Sequence, residues 1–141
     1  MIRKKAKNLC LPVLCAITFA LVMFQMPAQC HALDIYIEID VSPNVINIQS
    51  QSTVVTVHTN IAYSIVAGTS VTLNGVEIAW WKSDDRGNFV AKFDSDDIKT
   101  LDGLKIGEYN TLTLIGFTTG GEEFTGTQDI MVIENIPAGK Q

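Results

Sequence analysis

The sequence predicts an all-β protein, an antiparallel sandwich of about seven strands with one short helical turn. Three observations predict it. Apolar and polar residues alternate with period 2 from Leu33 to Val41, and Asn88 to Asp94 puts Phe89, Ala91 and Phe93 on one face of a strand. An Asn-Gly pair at 74–75 lies between two β-branched runs, the pattern of a tight hairpin. Turn residues recur roughly every 8–15 residues, a spacing that suits short strands packed in two layers.

The elements begin only after residue 32. Residues 1–32 differ from the rest of the 141-residue chain in every respect that composition measures. They hold Arg3, Lys4, Lys5 and Lys7, no acid, and all three cysteines. A basic stretch is followed by an apolar run from Leu9 to Phe24 and by small residues at Cys30 and Ala32. This is the three-part pattern of a secretory signal peptide, with cleavage expected after Ala32. An apolar run of that length falls short of the ~20 residues that span a bilayer, so cleavage is favoured over an anchor. Gln29 before Cys30 is not the small residue a lipidated cysteine needs. The expected destination is the periplasm or the exterior. The expected organisation is a leader over 1–32, one domain over 33–133 and a loose tail over 134–141.

Residues 33–141 carry six basic and fifteen acidic residues, a net charge of −9, and no cysteine. So acidic a domain disfavours nucleic acid and anionic membrane, which both need Lys or Arg against phosphate. Without cysteine there is no thiol catalysis, no disulfide and no Cys-ligated zinc. About 109 residues bury enough surface for one core without staples.

Leu33, Ile35, Ile37, Ile39 and Val41 alternate with Asp34, Tyr36, Glu38 and Asp40, a half-buried strand with an acidic outer face. Those acids discourage edge-to-edge pairing. Ser42-Pro43-Asn44 breaks the run, and Val45 to Ile48 continues it as a strand crossing between sheets. Ser52 to His58 is β-branched and strand-like. Val71-Thr72-Leu73 and Val76-Glu77-Ile78 flank Asn74-Gly75 as a hairpin. Asn88 to Asp94 places Phe89, Ala91 and Phe93 on one face. Ser95 then caps a helical turn, whose acids Asp96 and Asp97 suit the positive end of the helix dipole. Gly103 ends it. Tyr109 to Phe117 and Phe124 to Ile133 close the chain as two strands joined by Thr118-Thr119-Gly120-Gly121. The strand number and spacing are of immunoglobulin size.

Three stretches carry a resemblance: Ser70 to Val76, Gly87 to Phe93, and Leu112-Thr113-Leu114 through Gly121 to Val132. The last reads G-E-E-F-T-G-T-Q-D-I-M-V. Together they resemble the immunoglobulin-like modules of secreted bacterial and archaeal proteins over about residues 45–133. The resemblance implies an Ig-like sandwich, an extracytoplasmic location and a spacer or accessory role. It implies no activity. Some such modules carry an Asp-rich loop before the strand that corresponds to 88–94. Here Ser83–Asn88 keeps Asp84, Asp85 and Gly87, but Arg86 stands among the would-be ligands.

Calcium takes six to eight oxygens, several of them carboxylate. Asp84 and Asp85 form one acidic cluster; Asp94, Asp96 and Asp97 form another. They sit at opposite ends of one strand, about 20 Å apart, and cannot share an ion. The competing reading is a solvated turn and a helix cap. Trp80 and Trp81 point to opposite faces of a strand. Continuing the hairpin alternation puts Trp80 with Val76 and Ile78 inside and leaves Trp81 outside. An outward ring stacks on ligands or partners, so Trp81, Arg86 and Asn88 make the expected binding surface. The single histidine of residues 33–141, His58, is read as a strand-end residue, not a base; alone it cannot build a His₂ or His₃ metal site. No G-x-S-x-G elbow or phosphate loop occurs. The expected function is therefore a non-catalytic secreted module, structural or partner-binding, without a cofactor. Its alternative is a calcium-dependent or carbohydrate-binding accessory protein. The expected partner is an extracytoplasmic protein or glycan.

Overall fold

A computed structural model describes residues 33–135. The expected leader, with its three cysteines, and residues 136–141 of the expected tail lie outside that range. Among the described residues there are ten strands: β1 (Ile35–Tyr36), β2 (Ile39–Ser42), β3 (Val45–Asn47), β4 (Val54–Ala62), β5 (Val66–Leu73), β6 (Val76–Glu77), β7 (Trp80–Ser83), β8 (Asn88–Asp94), β9 (Tyr109–Thr118) and β10 (Glu123–Ile133). A 3₁₀ turn covers Tyr63–Ile65, and one short helix, α1, covers Ser95–Lys99.

The strands form two sheets. One runs β1-β10-β9-β5-β6, with β3 also on β10; the other runs β2-β4-β8-β7. Their inner faces share one core. Leu73, Leu112, Leu114, Phe124 and Ile130 come from the first sheet, and Val55, Val57, Phe89, Ala91 and Phe93 from the second, all without exposure. Ile98 of α1 plugs the same core. Alternation explains the positions, since residues two apart on a strand share a face.

Three more strands occur than the seven the sequence predicts, for two reasons. From Asp34 to Val41 the segment does alternate in burial, with Leu33 exposed, but two sheets divide it. Ile35 and Tyr36 run parallel to Phe124 and Thr125, whereas Ile39 to Ser42 run antiparallel to Thr56 to Thr59. Val45 to Asn47 then return to β10, parallel to Met131 to Ile133. Period 2 reports which face is buried and is silent on which neighbour is paired. The second reason lies after the hairpin. Asn74 (φ 48°) and Gly75 (φ 84°) both take the left-handed conformation that a two-residue turn requires, as expected. Its outgoing strand stops at Glu77, and the chain then crosses to the other sheet, where Trp80 to Ser83 pair with Lys92 to Phe89.

Two irregularities matter below. β4 slips against β8 between His58 and Ala62. There the Thr59 hydroxyl donates to the Phe89 carbonyl at 2.6 Å. β5 slips against β9 between Ala67 and Thr72. There the Ser70 hydroxyl accepts from the Phe117 N–H at 2.9 Å and donates to the Ala67 carbonyl at 2.6 Å. Both side chains satisfy backbone groups that the slipped ladder abandons.

Residues 134 and 135 are not loose. Asn47 receives the Asn135 N–H on its Oδ1 and donates to the Asn135 carbonyl. Gln49 donates to Glu134.

Candidate functional site

The turn between β7 and β8 is built by one carboxylate. Asp84 Oδ1 accepts the N–H groups of Arg86 at 2.8 Å and Asn88 at 2.9 Å. The Asp84 N–H donates to the Asn88 carbonyl, and Gly87 adopts φ 81° to close the turn. The Asn88 N–H, above all, holds the Asp84 carboxyl below its ordinary value; desolvation opposes it, and the Arg86 N–H and the charges of Arg86 and His58 lower it further.

Around this turn lies an open depression of about 440 Å³, lined by His58, Asn60, Asp84, Asp85, Arg86 and Asn88 among others. A smaller one, about 230 Å³, continues it over His58 and Asn60 to Glu38, Ile39 and Asp40. The slip in β4 and the paired Asn60–Glu38 contacts bring these segments together: Glu38 N–H donates to Asn60 Oδ1 at 3.0 Å. His58 thus lies within β4, not at its end, and its side chain is exposed. Both depressions are open, the shape of a contact surface more than of a closed reaction chamber.

The two acidic clusters fall at opposite ends of β8, as the sequence implies. At the far end Asp94, not Ser95, caps α1, accepting the Asp96 N–H at 2.9 Å. Ser95 is instead the first helical residue and is buried. The cap shifts by one position because β8 runs straight into the helix and turns Ser95 inward. Asp96 faces Lys99 at 3.9 Å. Asp85 and Asp97 are exposed. Among the described residues, no three His, Cys, Asp or Glu side chains converge for a metal.

The tryptophans correct the expected surface. Trp80 is the outward ring, 48% exposed, and Trp81 packs against the core. A Cβ at Gly68 of β5 would overlap the Trp81 indole, so the ring crosses from one sheet onto bare backbone of the other. The alternation of the hairpin does not continue into β7, because the chain changes sheets at Ile78-Ala79 and restarts its phase. Trp81 therefore does not project from the surface beside Arg86 and Asn88.

The outer face of the four-stranded sheet carries a row that the sequence reading missed. Ser42 pairs with Thr56, Thr56 with Lys92, and Lys92 with Trp80. Lys92 Nζ lies 4.8 Å from the Trp80 ring centroid and 3.3 Å from Thr56 Oγ1. The adjoining row is Asp40, His58, Val90 and Lys82. The clue was present: Lys92 alternates out of phase with Phe89, Ala91 and Phe93. Its cross-strand neighbour on β7 required the register.

No family model, no curated protein and no solved structure matches this chain. No helix among the described residues is long and apolar enough to cross a membrane.

Proposed function

We propose that this chain is an exported, non-catalytic module of immunoglobulin-like architecture that binds a partner through the outer face of its four-stranded sheet. The strand order supports the architecture. β2-β4-β8-β7 follows the A-B-E-D order of such a domain, and β5, β9 and β10 follow C, F and G. The leader-like sequence of residues 1–32 supports export.

Trp80 carries the binding reading. A half-exposed indole on an edge strand is fixed from one side by the Lys92 ammonium, so little side-chain entropy remains to be lost on contact. Held aromatic rings dominate binding energy at protein surfaces. The Ser83–Asn88 turn, with Arg86 exposed, borders the same strand and extends the surface. Both depressions beside it are open, which suits contact with a surface.

The experiment is affinity capture from envelope and culture fluid of the source cells, with wild type against Trp80→Ala and Arg86→Ala. Capture of a defined partner by wild type and its loss in Trp80→Ala is the expected result. Undiminished capture by both variants defeats the surface assignment. A glycan partner is the second reading. The hydroxyls of Ser42 and Thr56 lie in the same row as the Trp80 ring, the combination of stacking and hydrogen bonding that sugars use.

A further inference from the structure

A separate concavity lies at the opposite end of the domain from the β7–β8 turn. It measures about 320 Å³ and sits between β3 and α1. Its lining is Pro43, Val45, Ile46 and Asn47 of the β3 segment together with Ser50, Ser52, Ser95 and Lys99. This size is at the lower end of ligand pockets.

Lys99 is the unusual element. Its side chain is only 8% exposed, although lysine is rarely buried unless paired. Its ammonium donates to the Ser50 carbonyl at 2.7 Å. Its carboxylate neighbour, Asp96, is 3.9 Å away, beyond hydrogen-bond reach, and is itself 86% exposed. An ammonium has three N–H donors. Two of the three therefore have no acceptor within reach among the described residues. Water screens the exposed Asp96 charge, so the pairing is weak. Ser95, 2% exposed, lines the same crevice, and the Ser50 hydroxyl accepts the Ser52 N–H while its own proton stays free to donate.

We propose that this crevice binds a short organic carboxylate, its oxygens on Lys99 and the serine hydroxyls and its apolar body against Pro43 and the exposed Val45. The charge count selects the class. One buried cation matches one negative charge, and among the described residues no second cation lines the crevice to meet the second charge of a phosphate. Pro43 and Val45 give no reward to a bare inorganic anion and stabilise a body of a few carbons. The carboxylate belongs either to a free small acid or to the C-terminus of a peptide.

The test is a melt of the full chain in butyrate, in an N-acetyl dipeptide acid, in the matching dipeptide amide and in chloride at equal ionic strength. A hundredfold excess over Kd raises the Tm by on the order of 10 °C. Saturable stabilisation by butyrate or by the dipeptide acid, absent with chloride and with the amide, is expected. Stabilisation by the acid peptide alone assigns the site to chain termini; stabilisation by butyrate alone assigns it to free acids. Lys99→Met, which keeps the aliphatic stem, is expected to abolish the shift, and Ser95→Ala to reduce it. If Lys99→Met fails to fold, amide NMR on wild type decides, with shifts expected at Ser50–Ser52 and Ser95–Lys99. No saturable effect, equal effects of butyrate and chloride, or shifts located elsewhere would overturn the proposal.

Discussion

Single residues in this domain divide between those that build and those that remain available, and the two tryptophans draw the contrast most sharply. Trp81 fills the space over Gly68 between the sheets, so Trp81→Ala leaves a cavity at a cost of about 3 kcal/mol. Gly68→Ala drives a methyl into the same ring and costs about 1–3 kcal/mol. Trp80→Ala removes an exposed ring and its contact with Lys92, under about 1 kcal/mol. Urea unfolding of the three variants measures this ordering, and a Trp80 variant as damaging as Trp81 would contradict the orientation. Asp84 belongs with the builders. Its carboxyl has a lowered pKa in the folded chain, first through the Asn88 N–H. A carboxylate depressed on folding stabilises above its unfolded pKa, and the contribution vanishes as pH falls through the folded value. Asp84's share is therefore complete at neutral pH and is lost on acidification below the ordinary carboxylate range. Asp84→Asn keeps an oxygen for the two N–H groups but cannot titrate. Its stability should fall less steeply with acid than that of wild type, and parallel acid limbs would refute the assignment. Asp84 is occupied by its turn and Asp94 by its cap, while Asp85, Asp96 and Asp97 are exposed and do not converge on a common point. Melts in calcium and in chelator are accordingly expected to coincide.

At the scale of elements, local chemistry decides most of what forms. The Asn74-Gly75 turn is legible because only residues that tolerate positive φ fit it, and Gly75→Ala should cost about 1 kcal/mol or more for that reason. Asp94→Ala should cost about 1 kcal/mol through its lost cap on α1, a five-residue helix with little else to hold its first turn. Thermal unfolding measures both. The core strand Asn88–Asp94 and the closing pair β9 and β10 were equally readable, since each is an apolar, β-branched or aromatic run bounded by turn residues. What the sequence could not reveal were events between strands. The switch of partner at Ile37-Glu38, the change of sheet at Ile78-Ala79 and the slips closed by Thr59 and Ser70 leave no trace in periodicity. The candidate surface suffered accordingly. Its loop, Ser83–Asn88, was legible from composition, but its aromatic residue was misassigned. His58, Lys92 and Thr56 joined it only through register.

The whole molecule depends on how the segment 33–47 joins two sheets. β1 and β3 both pair with β10, while β2, between them, pairs with β4 on the facing sheet. A strand that leaves one sheet exposes polar edge groups there, and the edge must be managed. Gln128 manages part of it. It lies on the inward side of β10, between the stretches that β1 and β3 cover, and its Oε1 accepts the Val41 N–H across the gap at 2.6 Å. Val41 is 1% exposed, so that N–H has no water to turn to. Gln128→Leu conserves bulk and removes the acceptor, and an abandoned buried donor costs about 1–3 kcal/mol. The loss should be local. Amide hydrogen exchange is expected to speed at Ile39–Ser42 while Phe89–Phe93, deep in the same sheet, keep their protection. Uniform loss of protection would mean that the bond supports global stability and not the docking of β2. A local loss would identify β2 as the least secure strand of the four-stranded sheet. It would also place the lability next to the Asp40 and His58 side of the proposed binding face, where partner contact with β2 would restore protection.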